Sequence, residues 1–239
     1  MIKRYQDNNC VVLYDSRYIT DPTLPIFDSE YWQAEGKITG NAKGRGTTWF
    51  LQLVEIQGAL RHYNRGGLWG KVIRDSYWFS GWESARSIAE FQLLNQLIDA
   101  GVSVPKPVAA RVIKTGCFYT ADLLSERIEN AQDLVSILIE RKLPTRVYRL
   151  VGQEIARMHK AEVNHTDLNI HNLLIDNNEK VWIIDFDKCK KQVGNGWQSA
   201  NLERLLRSFR KEQNKRQIQW SEQDFTELKA GYQEFMAQP

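Results

Sequence analysis

Three oxygen-bearing side chains lie at short, fixed separations in the second half of the chain. Asn172 follows Asp167 by five positions, and Asp185 follows Asn172 by thirteen. Carboxylate and amide oxygens in small number suit magnesium, which usually keeps several waters and takes further ligands from substrate phosphates. A carboxylate beside such a site can accept the proton of a hydroxyl group as it attacks phosphorus. The pattern therefore indicates phosphoryl transfer.

Two short strands are predicted to bring these side chains together. The apolar runs Leu173–Ile175 and Val181–Ile184 are each typical of a strand, and the polar residues 176–180 between them predict a tight turn. Such a hairpin places the amide and the second carboxylate at one end, beside the loop that carries Asp167. Asp and Asn also cap turns for purely local reasons, but both halves of the pattern in this order favour a catalytic function.

The pattern resembles the catalytic loop and metal-binding motif of protein-kinase-like phosphotransferases. The resemblance implies that Asp167 is the catalytic base and that Asn172 and Asp185 hold magnesium on the nucleotide. It also implies that His165 braces the loop and does not act on the substrate. A glycine-rich turn and a strand cation are then expected upstream, since these parts hold the nucleotide phosphates in kinase-like domains.

The first half of the chain contains candidates for these nucleotide-binding parts. Gly44 and Gly46 precede the β-prone run Thr47–Leu53 and fit a turn over phosphates, although such a pair is also typical of an ordinary hairpin. In the predicted strand Gly58–Tyr63, Arg61 stands where a kinase-like strand carries lysine. Arginine keeps the charge but is bulkier and can bind phosphate through two nitrogens.

A helix over Ser84–Ala100 is predicted from apolar residues at helical spacing, with a serine N-cap and a glycine after its end. Glu90 lies among these apolar residues and can pair with the upstream cation, as a glutamate of the equivalent helix does in kinase-like domains. Val108–Ile113 and Cys117–Leu124 predict an antiparallel hairpin. Several strands with one inserted helix match the smaller lobe of such a domain.

The predicted fold is α+β and two-lobed, of the protein-kinase-like type. It has an antiparallel-sheet N-lobe with one inserted helix and a reduced, mainly helical C-lobe. We expect the nucleotide-covering N-lobe at residues 1–124 and the C-lobe, with the catalytic loop and metal site, at residues 125–239. The helices predicted for the second lobe are Ala131–Glu140, Thr145–Lys160, Leu202–Phe209 and Phe225–Phe235.

Composition limits the classes of function. The chain has 239 residues, 42% of them hydrophobic, and a net charge of only +3, and it carries no nucleic-acid-binding motif. Its three widely spaced cysteines form neither a metal pattern nor a disulfide framework, which fits a reducing compartment. No apolar run approaches a membrane span, and the N-terminus lacks a signal-peptide stretch. We therefore expect a cytoplasmic protein.

The segment Arg204–Arg216 is rich in arginine and lysine, with Glu212 as its lone acidic residue. A basic helix face of this kind suits an anionic partner such as a phospholipid surface. The alternative is an ordinary solvated face.

The end of the chain argues against a protein substrate. Only 54 residues follow Asp185 in the 239-residue chain, whereas a protein kinase needs more for its activation segment and peptide-docking helices. Asp187 stands where protein kinases have a glycine, and Asn169 stands where Ser/Thr protein kinases have a lysine. These features favour a small molecule or a glycolipid head group as the acceptor.

Five further segments carry a narrower resemblance: Arg61–Gly67, Asp75–Trp78, Arg86–Glu90, Val104–Arg111 and His165–Asn172. Together they look like the Kdo kinases, small Gram-negative enzymes that are related to the lipopolysaccharide core heptose kinases. The resemblance implies phosphorylation, with ATP and Mg²⁺, of the 4-hydroxyl of a 3-deoxy-D-manno-octulosonic acid (Kdo) residue on a lipid A precursor. It implies a peripheral position on the inner face of the cytoplasmic membrane, and it indicates no protein partner.

Candidate residues for the sugar come from charge and proximity. Arg65, Lys71 and Arg74 are interleaved with aromatic residues, namely Trp69, Tyr77, Trp78 and Trp82. Aromatic rings stack on sugars and prefer membrane interfaces, although these rings could equally pack inside a lobe. We therefore assign the three cations to contact with a charged glycolipid.

Other functions remain open on the sequence. An aminoglycoside- or choline-phosphotransferase-like kinase typically has a glycine after the catalytic-loop histidine, where this chain has Thr166. A non-catalytic kinase-like binding module would explain Arg61 and Asp187, but it has no need of the three retained polar side chains. A small atypical protein kinase is disfavoured by Asn169 and by the short C-terminal part.

Overall fold

The computed structural model describes residues 1–43, 46–64 and 75–238. The chain divides into two compact units, Met1–Asn95 with Lys106–Arg127, and Gln96–Pro105 with Ile128–Pro239. The lobes expected at residues 1–124 and 125–239 stay a prediction, because compactness alone does not show which part covers a nucleotide.

The first unit is built on an antiparallel sheet with eight strands among the described residues. In chain order they are β1 (Ile2–Gln6), β2 (Cys10–Asp15), β3 (Ile38–Lys43), β4 (Thr47–Gln52), β5 (Gln57–His62), β6 (Tyr77–Trp78), β7 (Pro107–Thr115) and β8 (Phe118–Glu126). Across the sheet the order is β1-β2-β7-β8-β5-β4-β3, and β6 pairs with β8. The hairpin predicted around residues 114–116 is confirmed by the pairing of β7 with β8.

One long helix, α2 (Arg86–Asp99), lies against this sheet through its N-terminal half. Ser87 Oγ donates to the carbonyl of Arg111 in β7 at 2.8 Å. The helix ends before Gly101, as predicted, and the φ of +76° at this residue suits glycine. It begins later than predicted because the Ser84 hydroxyl donates to a carbonyl of the preceding turn, at 3.0 Å, and does not cap the helix.

An N-terminal segment that was not predicted from the sequence covers another part of the hydrophobic core of the first unit. It contains β1, β2 and the short helix α1 (Ser29–Ala34), where Trp32 Nε1 donates to the carbonyl of Ile26 at 2.7 Å. Strand β2 is hard to recognise because consecutive residues, Val11 to Leu13, are all buried, so the alternation typical of a half-buried strand is missing.

The second unit is mainly helical. Its elements are β9 (Ala131–Asp133), α3 (Leu134–Glu140), α4 (Thr145–Lys160), β10 (Val163–Asn164), β11 (Leu173–Asp176), β12 (Val181–Ile183), β13 (Lys190–Lys191), α5 (Gly196–Arg216) and α6 (Glu222–Met236). Strand β11 pairs with β12 and with β9, so the predicted hairpin is confirmed. The helix predicted over Ala131–Glu140 is wrong in its first three residues, because the Asp133 side chain accepts hydrogen bonds from backbone N–H groups and caps a helix that begins at Leu134.

Helices α4 and α6 meet at two glycines. A Cβ added at Gly152 would collide with the backbone of Leu228, and a Cβ added at Gly231 would collide with the backbone of Arg149. Backbone atoms cannot be moved aside by a side-chain rotation. Only glycine at both positions therefore permits this close approach.

Replacing Gly152 with alanine should lower the free energy of unfolding by about 1–3 kcal/mol, because the two helices must separate. Urea unfolding of the purified variant measures this change. Gly196→Ala is the matched control, since a Cβ there meets no atom within 4 Å and helical alanine is favoured over glycine. Equal stability of Gly152→Ala and the wild type would contradict the close contact.

Candidate active site

The hairpin of β11 and β12 holds the predicted metal ligands at its open end. Leu173 pairs with Ile183, and the Ile184 backbone N–H donates to the carbonyl of Asn172 at 3.0 Å. This bond keeps the residues before β11 and after β12, Asn172 and Asp185, beside one another. Their predicted proximity is confirmed, whereas their roles as metal ligands stay predictions.

The side chain of Asn172 ties the catalytic loop to this hairpin. Its Nδ2 donates to the backbone carbonyl of Asp167 at 3.0 Å, and Asn169 Nδ2 donates to the same carbonyl at 2.9 Å. Because Nδ2 faces that carbonyl, the Oδ1 atom of Asn172 is turned away from it and can serve a cation. The carboxylate of Asp167 is exposed, as a base that meets a substrate must be.

A buried histidine supports the loop from the interior. His165 Nδ1 accepts the backbone N–H of Asp167 at 3.3 Å, and Nε2 lies 3.0 Å from the carbonyl of Ile184. Since Nδ1 accepts, the proton is on Nε2, which donates to that carbonyl. Burial lowers the pKa of His165, so the ring is neutral near neutral pH. These contacts make His165 a positioning residue, and they agree with the expected brace.

Asp185 has a backbone conformation that is uncommon outside glycine, with φ at +64°. It persists because both neighbours are anchored. Ile184 is bonded to Asn172, and the ring of Phe186 packs against His165 with centroids 4.8 Å apart. Strained residues of this kind cluster at functional sites, and the Asp185 side chain is exposed.

The donor set of the second unit fits magnesium. Asn172 Oδ1 and the Asp185 carboxylate are hard oxygen donors at one end of one hairpin. No group of three or more His, Cys, Asp and Glu side chains that could hold a metal is found among residues 1–43, 46–64 and 75–238. A magnesium site built from these donors would draw its remaining ligands from phosphate oxygens and water.

In the first unit, the predicted strand cation pairs with the predicted helix glutamate. Arg61 Nη2 lies 2.7 Å from both Oε1 and Oε2 of Glu90. The Glu90 side chain is only 5% exposed, so the pair is shielded from solvent. The pairing is confirmed, and the expected contact of these residues with nucleotide phosphates stays a prediction.

A third member of this cluster, Tyr63, was missed from the sequence. Its hydroxyl donates to Glu90 Oε2, and the Arg61 guanidinium lies over its ring at 4.9 Å from the centroid. Tyr63 is buried. The available signal was its spacing, because residues two apart in an extended strand face the same side and Tyr63 follows Arg61 by two.

Several of the predicted site residues lie outside the described part of the chain, namely Gly44, Arg65, Lys71 and Arg74. Their roles stay predictions. Gly46 is described, and a Cβ there would collide with the side chain of Asn64. That contact is with the end of a flexible side chain, which can move aside, so it does not by itself require glycine at this position.

The basic segment Arg204–Arg216 is more neutralised than its sequence indicates. Arg210 pairs with Glu222 at 2.7 Å, and Arg216 pairs with Glu212 at 3.0 Å. Glu212 is buried, so this carboxylate also holds the helix to its surroundings. The segment offers fewer unpaired cations to an anionic surface than expected.

Comparison with known proteins identifies the family. Residues 29–232 match the model of the lipopolysaccharide kinase (Kdo/WaaP) family. The chain belongs to this family. It is 63% identical to the 3-deoxy-D-manno-octulosonic acid kinase of Vibrio parahaemolyticus over 228 residues, which cover 95% of this chain and 96% of that protein.

Two further members of the Kdo/WaaP family extend this similarity to other bacteria. The 3-deoxy-D-manno-octulosonic acid kinase of Vibrio cholerae is 57% identical, with 94% of this chain and 96% of that protein covered. The protein of the same name from Haemophilus influenzae is 46% identical, with 96% and 98% covered. This Kdo/WaaP family member is therefore a kinase of lipopolysaccharide biosynthesis, and membership of a kinase family implies that it uses ATP.

A solved structure supports the fold. "WaaP in complex with acyl carrier protein" matches with a TM-score of 0.59 at 16% identity, over 90% of this chain and 87% of that one. The predicted α+β, protein-kinase-like fold is confirmed. That WaaP structure contains acyl carrier protein, and the expectation that this chain has no protein partner stays a prediction.

Replacing Tyr63 with phenylalanine should lower the free energy of unfolding by about 1.5–3 kcal/mol, because a hydrogen bond to a buried carboxylate is lost while the ring remains. Urea unfolding gives the value. Tyr148→Phe is the control, since its buried hydroxyl has no hydrogen-bond partner in the described ranges and its removal should cost little. A loss as large in Tyr148→Phe would show that the Glu90 bond is not the cause.

Proposed function

We propose that this chain transfers the γ-phosphoryl group of ATP to the 4-hydroxyl of a Kdo residue on a lipid A precursor. The observation that carries the proposal is the 63% identity to the Vibrio parahaemolyticus 3-deoxy-D-manno-octulosonic acid kinase over 95% of this chain. The similarity extends far beyond the generic kinase motifs, so the parts that recognise the acceptor are included in it.

Asp167 is the catalytic base in this proposal. Its backbone is held on both sides, by two amide side chains on its carbonyl and by His165 on its N–H. The acceptor hydroxyl gives its proton to the Asp167 carboxylate as its oxygen bonds to the γ-phosphorus, and the bond from that phosphorus to ADP breaks. Because the carboxylate is already positioned, little ordering is needed at the moment of reaction.

Asn172 and Asp185 hold Mg²⁺ in the same proposal. The cation, when bound, neutralises charge on the nucleotide phosphates. The support is the pair of oxygen donors at the hairpin end and the engagement of Asn172 Nδ2 with Asp167, which leaves the amide oxygen for the metal.

Arg61 contacts nucleotide phosphates in place of the usual lysine, and the expected phosphate contact of Gly44 and Gly46 is part of the same proposal. Its planar guanidinium is held at one edge by Glu90 and on one face by Tyr63. Such support fixes the plane of the guanidinium, which suits directional contact with phosphate. Contact of Arg65, Lys71 and Arg74 with the charged acceptor is part of the same proposal and rests on their charge.

Activity on a panel of acceptors tests the function. Purified protein is incubated with labelled ATP, Mg²⁺ and, separately, Kdo-lipid A precursor, free sugars, an aminoglycoside, choline and a generic protein. We expect label on the Kdo-lipid A precursor. Label on another acceptor, with none on the Kdo lipid, would show that the acceptor is assigned wrongly.

Variants separate the roles of the polar residues in this assay. Asp167→Asn should lower kcat at least about 100-fold, since positioned proton transfer contributes this much or more. Asn169→Ala removes one bond to the Asp167 carbonyl but no base, and should cost far less. Asn172→Ala and Asp185→Asn should raise the Mg²⁺ concentration needed for half-maximal activity. An unchanged kcat in Asp167→Asn would exclude this residue as the base.

We also propose that the protein works peripherally on the inner face of the cytoplasmic membrane, because its acceptor is a glycolipid. None of the helices in the described ranges is long and apolar enough to cross a membrane. Trp78 is 64% exposed and Phe118 is 42% exposed, and their rings meet edge to face at 5.7 Å. Exposed aromatic pairs favour the interfacial region of a bilayer.

Co-sedimentation with vesicles that contain anionic phospholipid tests the position. Replacing Trp78 and Phe118 together with serine should weaken binding at least about threefold, since interfacial aromatic area is lost. Val54→Ser is the control, because Val54 is 95% exposed in the same unit and is not aromatic. Binding equal to wild type in the double variant would remove the aromatic pair from the proposal.

A further inference from the structure

A cavity of about 300 Å³ lies on the first unit, between the sheet and residues 25–29, which lead into α1. His62 of β5 lines this cavity. Neighbouring residues of a strand point to opposite faces, so the cavity lies on the face of the sheet opposite to the one that presents Arg61. It is therefore separate from the cluster of Arg61, Tyr63 and Glu90.

The cavity floor carries a buried charged cluster centred on Asp122, which is 2% exposed. Its Oδ1 lies 2.7 Å from His62 Nδ1, and its Oδ2 accepts from Arg111 Nε at 2.9 Å. The hydrogen bond to Asp122 raises the pKa of His62. Both oxygens of the carboxylate are therefore occupied, by His62 and by Arg111, and His62 Nε2 also lies 3.3 Å from the Asp75 carboxylate.

Arg111 has hydrogen-bond donors to spare. Its Nη1 and Nη2 atoms make no hydrogen bond within the described part of the chain, although the side chain is only 25% exposed. Its guanidinium lies over the ring of Phe27 at 4.8 Å from the centroid. A guanidinium held at one edge and on one face keeps its other donors in fixed directions. Since Arg111 lines the cavity, a ligand there can use them.

The remaining walls combine an aromatic ring with small polar groups. Trp49 lines the cavity, together with Ser29, Thr47 and Asp28. Asp28 and Asp122, the two acidic residues of the lining, offset the positive charge of Arg111. A cavity that combines an aromatic residue with charges of both signs suits a neutral, hydroxyl-rich ring better than a simple anion.

We propose that this cavity is a sugar-binding site that takes one pyranose ring, with a face of the ring against Trp49 and hydroxyl oxygens on Arg111. Its volume of about 300 Å³ is at the small end of ligand pockets, which suits a single ring. The inference goes beyond phosphoryl transfer, since Asp167, Asn172, Asp185, Arg61 and Glu90, which lie in the described part of the chain, do not line the cavity. It gives the protein a second point of contact with saccharide.

Nuclear magnetic resonance tests the site directly. ¹⁵N-labelled protein is titrated with N-acetylglucosamine, with Kdo and with inorganic phosphate, and the Trp49 indole N–H signal is assigned by Trp49→Phe. We expect a saturable shift of this signal with the sugars and none with phosphate. A shift with phosphate alone, or no shift with either sugar, would overturn the proposal.

Variants test whether the named side chains bind the sugar. Trp49→Leu removes the ring, and Arg111→Lys keeps the charge beside Asp122 but loses the planar donors. Each substitution should weaken sugar binding about tenfold, which corresponds to about 1.4 kcal/mol. Ligand-observed NMR signals measure this change. Arg127→Lys is the control, since Arg127 stacks on Phe50 at 4.0 Å in the same unit and does not line the cavity.

The two proposals fail in different ways. If Trp49→Leu does not fold, Arg111→Lys still tests the site, because a cation remains beside the buried carboxylate. Phosphoryl transfer to a soluble Kdo acceptor should be unchanged in Arg111→Lys. Sugar binding as tight in Arg111→Lys as in the wild type would contradict the cavity site and leave the kinase assignment untouched.

Discussion

A closed circuit of four hydrogen bonds holds the catalytic loop against the hairpin. The Ile184 N–H donates to the Asn172 carbonyl, the Asn172 side chain donates to the Asp167 carbonyl, the Asp167 N–H donates to His165, and His165 donates back to the Ile184 carbonyl. Because the circuit is closed, no member can move without loss of a bond elsewhere. The predicted base and one predicted metal ligand thus share a single rigid frame, and this is the kind of support that phosphoryl transfer needs.

The first unit reaches rigidity by another route. Its cluster joins the buried carboxylate of Glu90, the guanidinium of Arg61 and the phenol of Tyr63. Side-chain charge, and not main-chain hydrogen bonding, therefore fixes the geometry of this cluster. Such buried pairs add little net stability, because desolvation offsets their attraction. Their contribution is directional, since Glu90 and Tyr63 together restrict the plane of the Arg61 guanidinium. The substitution of arginine for lysine is therefore accompanied by a matching environment.

Local patterns in the sequence were enough for much of this arrangement. The hairpin and the helix Thr145–Lys160 follow from spacing and residue type alone, and the pairing of Arg61 with Glu90 follows from the resemblance to kinase-like domains. What escaped depends on side-chain contacts that the hydrophobic pattern does not show. The start of the helix at Leu134 depends on a side-chain cap, and the charges of α5 are matched by partners such as Glu222, which lies on another helix. A count of charges along one segment cannot show such partners.

The glycine contact between α4 and α6 bears on how this chain can diverge. At this crossing the main chains meet directly, and the buried Leu228 side chain and the ion pair of Arg149 with Glu227 of α6, at 3.0 Å, add contacts beside them. The requirement for glycine falls on two positions, Gly152 and Gly231. Because α4 leads directly towards the loop that carries Asp167, the absence of a side chain at these two glycines helps to set the shape of the reaction site.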